Sequence, residues 1–286
     1  MTEGRLERNR RLRQRRRLVF AAVLVLMAGM GIYFAVDSTG EANPQTLETP
    51  LPSSVTAPAP ADDPIEPDLA SPQVDADADA GATTVPLYFS GTGTWTYADG
   101  RPGEIAGTSG TLLRYNIAVE NGLQLDVEEV ATTVAATLAD DRSWTSGGAW
   151  RFEQVSQGSA DFTVYLASPD QRAQLCGSTN TTVSCRNGDK VVINSARWIT
   201  GVDHWDGTIE TYREYAINHE VGHRLGHSHE ICPAAGEPSP LMAQQTFQLA
   251  GCTGNAWPYP DGKTYVSGPA GEYGGPDLPP DDYADE

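Results

Sequence analysis

Residues 219–229 read His-Glu-Val-Gly-His-Arg-Leu-Gly-His-Ser-His, and four of the chain's five histidines fall within them. His219, Glu220, His223, Gly226 and His229 stand there in the spacing H-E-x-x-H-x-x-G-x-x-H. Side chains four apart share one face of a helix, so His219 and His223 can converge on one ion. Two imidazoles do not complete a catalytic zinc site, which normally takes three protein ligands and leaves a fourth position to water. His229 lies ten positions past His219, and on a continued helix it would point about 280° away at 100° per residue. Gly226 removes that objection. Lacking a Cβ, it can adopt a left-handed conformation, end the helix and turn the chain so that His229 reaches the same ion. Glu220 sits beside the first ligand but off its helical face, where it can take a proton from the water in the fourth position. The chemistry such an arrangement supports is metal-assisted hydrolysis, with Zn2+ as the expected ion.

This pattern resembles the metzincin clan of zinc peptidases, in which the same string is followed by a methionine-containing turn. Pro238-Ser239-Pro240-Leu241-Met242-Ala243 is the matching segment, so the resemblance carries Met242 over as the Met-turn residue. The run HEVGHRLGHSH is similar to the matrixin branch, while Glu230 after the third histidine is a feature shared with astacins. Some metzincins have a tyrosine two residues after the methionine; here that position is Gln244. The wider block, from Tyr115 through Trp198 to NHEVGHRLGHSHEICP and LMAQQT, looks like an uncharacterised actinobacterial family of metzincin-like proteins over roughly residues 86–258. The resemblance implies His219, His223 and His229 as ligands, Glu220 as general base and an extended substrate lying along a sheet edge above the zinc. Either 161–167 or 190–194 is that edge on sequence grounds. His227 would replace His229 only if the turn at Gly226 differed from the clan's, and His204 reads as a loop histidine.

These side chains need elements to hold them. Thr111–Glu120 alternates Leu113, Tyr115, Ile117 and Val119 as a strand does, and Asp126-x-x-Glu129 is a capping signal for a helix through VATTVAATLAD. WRFEQV and DFTVYLA read as strands, adjacent to one another around Gly158, and KVVINSARW (190–198) as a buried strand. The histidine-bearing helix is expected from about Thr208 to Gly226, with a short helix near 244–250. The fold class is therefore α+β: a metzincin-like zincin domain, a mixed twisted sheet over an active-site helix with a Met-turn, after an N-terminal transmembrane helix. Trp144, Trp150, Trp198 and Trp205 are read as core or cleft packing. No cysteine precedes the domain, so a thiolate-switched propeptide is not expected.

The N-terminus speaks to compartment. Eight arginines lie between Arg5 and Arg17, followed by nineteen uncharged residues, Leu18 to Val36. At about 1.5 Å per residue that stretch spans a bilayer core with little to spare, and the arginines mark the cytoplasmic side. Residues 1–17 are thus expected to be cytoplasmic, 18–36 a single-pass signal anchor in the cell membrane, and the rest extracytoplasmic. Proline, alanine and aspartate dominate 37–84, read as a disordered spacer. The zinc-binding catalytic domain is placed at 85–259 and a disordered acidic tail at 260–286.

Outside residues 1–17 the chain has 11 basic and 36 acidic residues, a net of −25, which disfavours a nucleic-acid partner. All four cysteines follow residue 175, as expected of an oxidising compartment. Proximity suggests Cys176–Cys185 and Cys232–Cys252, although four cysteines allow three pairings. The leading functional expectation is a membrane-anchored, extracytoplasmic zinc-dependent endopeptidase acting on a peptide or protein substrate through a zinc-activated water and a glutamate base. The alternatives are a zinc-stabilised binding or scaffolding module without turnover, and a zinc hydrolase of cell-wall amides.

Overall fold

The computed structural model describes residues 85–275, 278 and 281–284; the expected cytoplasmic segment, anchor and spacer lie outside them. Among the described residues no helix is long and apolar enough to cross a membrane. The described fold is α+β. Its strands are β1 (Trp95–Tyr97), β2 (Ile105–Ala106), β3 (Thr111–Glu120), β4 (Trp150–Gln154), β5 (Phe162–Ala167), β6 (Cys185–Asn187) and β7 (Lys190–Asn194). Its helices are α1 (Val127–Ala139), α2 (Pro169–Cys176), α3 (Ser195–Thr200) and α4 (Ile209–Arg224).

The strands form one mixed sheet in the order β2-β4-β3-β5-β7-β6, with β1 also pairing with β3. β4, β3, β5 and β7 run parallel, and β6 returns antiparallel to β7. Parallel neighbours need a crossover, and α1 and α2 supply two of them. β3 bears the consequence of its central position: Tyr115, Ile117, Ala118 and Val119 are all buried, because both faces of the strand are covered. α1 and α4 pack against each other, α1 on β3 and α4 on β7, so both lie on one face of the sheet.

Several sequence expectations change here. β4 and β5 are not adjacent; they flank β3 on opposite sides, an order that local pattern cannot reveal. The strand expected over 190–198 stops at Asn194, whose side chain accepts a hydrogen bond from the Ala196 N–H and so caps α3. Residues 244–250 form turns rather than a helix. Their groups are taken by distant partners: the Gln245 N–H donates to the Tyr215 hydroxyl and its side chain bonds Asn255 on both sides. The sheet edge beside the histidine helix is neither 161–167 nor 190–194, both of which are interior, but the short β6; β2 ends the sheet on the opposite side.

The expected tail after 259 also differs. Its described residues return over the domain: the Ile231 N–H donates to the Pro269 carbonyl, and the Arg197 guanidinium pairs with Asp281. Both disulfides form in the pairing suggested by proximity, leaving no free cysteine. Cys232–Cys252, with its Cα atoms 5.8 Å apart, brackets Leu241-Met242. Replacing both of these cysteines by serine releases a closed loop of some twenty residues, which should cost about 3 kcal/mol, read as a lowered urea midpoint.

Candidate metal centre

α4 carries the first two histidines. Its start is fixed by Thr208, whose hydroxyl accepts from the Thr211 N–H. Its end is a Schellman turn: the His227 N–H donates to the Gly222 carbonyl and the Gly226 N–H to that of His223. Gly226 holds φ at +101°, a conformation that disfavours any residue with a Cβ. The reversal delivers His229, and one ring nitrogen from each of His219, His223 and His229 lies within 4.8 Å of the others. These three residues could hold a metal ion.

The hydrogen bonds around the rings decide which nitrogens are offered. His219 Nδ1 is 2.9 Å from the Leu241 carbonyl, and His223 Nδ1 is 2.9 Å from that of His227. A carbonyl only accepts, so both Nδ1 atoms carry the proton. His229 Nδ1 faces the Glu272 carboxylate at 3.2 Å and donates likewise. Burial pushes His219 well below the usual histidine range and His223 down to about 4, so both rings are neutral near pH 7. Their Nε2 atoms therefore present lone pairs. His223 Nε2 and His229 Nε2 stand 2.9 Å apart, close enough for one cation to be shared between them. Three imidazoles, each with its Nδ1 held by an acceptor, form the donor set that suits zinc.

Beneath the histidines the chain is closely packed. Leu241-Met242 forms the turn Pro240–Ala243, closed by the Ala243 N–H on the Pro240 carbonyl, and Met242 is fully buried. Leu241 supplies the carbonyl that orients His219, while Tyr215, one turn earlier on α4, donates to the Ala243 carbonyl. Gly222, between the two helical ligands, is where the helix meets this turn. A Cβ there would stand 2.5 Å from Met242 Sδ and 2.6 Å from Trp144 Cζ2. Gly222→Ala should therefore destabilise the fold by about 1–3 kcal/mol through overpacking, measurable as a lower melting temperature.

Glu220 is buried, and its Oε2 has no hydrogen-bond partner within the protein. Burial raises its carboxyl to about 8, partly offset by Arg172 and Arg186. Glu220 and the three histidines line one cleft of about 670 Å³, bounded on another side by Arg186 of β6 and by Gln244 after the turn. The Arg186 guanidinium donates to the His223 carbonyl at the open end of α4, so β6 and the ligand helix are tied together.

Sequence reading brought together His219, His223, His229, Glu220, Gly226 and Met242, and the structure places them at this one centre. His204 is elsewhere, bonded to the Gln245 carbonyl. His227 contributes its carbonyl, while its ring packs on Trp144 with centroids 4.4 Å apart. Three contributors were missed: Gly222, the Leu241 carbonyl and Glu272. The glycine inside H-E-x-x-H was a visible signal for close packing; a carbonyl and a carboxylate 43 residues from its histidine carry none.

A family model described as protein of unknown function (DUF3152) matches residues 83–252, well over half of the chain. No curated protein and no solved structure matches it.

Proposed function

The chain belongs to this family of unknown function, and from its own residues we propose a zinc-dependent endopeptidase of metzincin type, tethered outside the cytoplasmic membrane by residues 18–36. The observation that carries the reading is the convergence of three imidazole nitrogens in the cleft that also holds the unpartnered Glu220 Oε2. His219, His223 and His229 would hold the ion. Bound there, zinc would supply Lewis acidity for a carbonyl and for water near neutral pH.

The chain's own residues do the rest. With an ion's positive charge beside it to oppose the effect of burial, Glu220 would ionise, and its Oε2, free of other partners, would accept the proton of the attacking water and pass it to the departing amine. The protein bonds to Nδ1 keep each ring turned so that Nε2 faces the cleft. β6 has one strand neighbour, so an extended peptide can pair along its other edge and pass beside His223. The two disulfides support an oxidising compartment.

One observation favours the non-catalytic alternative. Gln244 stands where some metzincins have a tyrosine, and its Oε1 accepts from the Tyr273 N–H. Incubation of the full-length chain with a diverse library of unstructured peptides separates the two. New internal termini that disappear with chelator support the peptidase; a zinc-loaded chain that cuts nothing in the library supports the binding module.

A further inference from the structure

The third ligand is gripped by a part of the chain outside the family-model match, which ends at Cys252. Residues 229–231 run as a short ribbon between the methionine turn and the C-terminal segment. On one side the Glu230 N–H donates to the Met242 carbonyl at 3.1 Å. On the other, residues 269–271 lie antiparallel, with the Ile231 N–H on the Pro269 carbonyl at 2.9 Å and the Gly271 N–H on the His229 carbonyl at 3.3 Å. The Glu230 carboxylate accepts from the Gly268 N–H, fastening the same segment a second time. Beyond it, the Tyr273 hydroxyl accepts from the Cys232 N–H, and its own N–H donates to Gln244 Oε1. Between these fixed points stands Glu272, facing His229 Nδ1 at 3.2 Å.

The three histidines thus differ in what orients them. His219 and His223 lean on backbone carbonyls; only His229 has a carboxylate behind it. His229 also stands beyond the end of α4 and has no helix to fix its direction. An outer carboxylate sets the tautomer, fixes the ring and makes the opposite nitrogen a better donor. We propose that residues 266–275 are an integral clamp of the metal centre, with Glu272 as the positioning residue for His229. The inference rests on the metal reading given above and adds that the C-terminal segment completes the site.

The test measures zinc release rather than hydrolysis. The full-length chain, loaded with one equivalent of zinc, is mixed with excess chromogenic chelator, and Glu272→Ala and Glu272→Gln are compared with the parent. Removing an outer-sphere partner typically weakens a site 10–100-fold, and because Glu272 is largely exposed the lower end is expected, roughly tenfold faster release for Glu272→Ala. Glu272→Gln keeps an acceptor oxygen without the charge and should fall between. The metal-free melting temperature should match the parent's, since an exposed side chain contributes little to the fold. Release at the parental rate from Glu272→Ala overturns the clamp and leaves the metal site standing. Faster release accompanied by an equal loss of metal-free stability also overturns it, by showing a general loosening. A parent chain that takes up no zinc removes the metal reading itself.

Discussion

Glu220→Gln is expected to keep its zinc and lose its hydrolytic activity. A positioned general base contributes about 10²–10⁴-fold to rate, so peptide cleavage should fall by that order while the metal content stays at the parental level. The two readouts separate because Glu220 is not among the three groups that converge on the ion site. Glutamine has nearly the same shape but cannot accept and return a proton. A further consequence concerns the fold. The metal-free parent buries a carboxyl group, largely protonated near pH 7, whose Oε2 has no partner, and burying an unpartnered polar group is costly. The variant should therefore be no less stable than the parent when both are metal-free. A variant that hydrolyses peptides at the parental rate would remove Glu220 from the mechanism.

The second large effect belongs to His223→Ala. Zinc at 1,000 times its dissociation constant should stabilise the parent by about 4 kcal/mol, since it binds the folded chain and not the unfolded one. For a domain of this size that is a rise of roughly 10 °C in melting temperature. His223 is the middle member of the cluster, with its Nε2 2.9 Å from that of His229, and its removal leaves two ligands. The alanine variant should show no zinc-dependent shift at the same concentration. A shift of parental size would mean that the stabilising zinc binds elsewhere.

The candidate metal centre was unusually legible because four of its determinants are local. His219, Glu220 and His223 are set by one helical turn, and Gly226 declares the reversal that brings His229 back. Met242 followed from resemblance, and the structure gives it a physical place against Gly222. What was not legible depends on pairing at a distance. The placing of β4 and β5 on opposite sides of β3 is a property of the whole sheet, since each strand has the same alternating pattern whoever its neighbour is. The start of α3 was masked because the apolar Val191–Ile193 reads as a buried strand that runs on towards Trp198, and the capping signal of Asn194 is a single residue. α2 carried a readable signal, Ser168 followed by Pro169 at the first helical position, within a stretch too polar to draw attention. The C-terminal segment misled in the opposite way. Its glycine, proline and acidic residues have the composition of a loose tail, yet its backbone groups pair with 229–231, and composition does not encode such pairing.

The most direct test of the metal centre is the zinc content of the full-length chain together with its zinc K-edge absorption spectrum. The expected result is one zinc per chain with three imidazole nitrogens, lighter scatterers in the remaining position and no sulfur, since all four cysteines are in disulfides. A chain that retains no zinc when supplied with it, or a spectrum with sulfur or fewer than three imidazoles around the ion, would contradict the site formed by His219, His223 and His229.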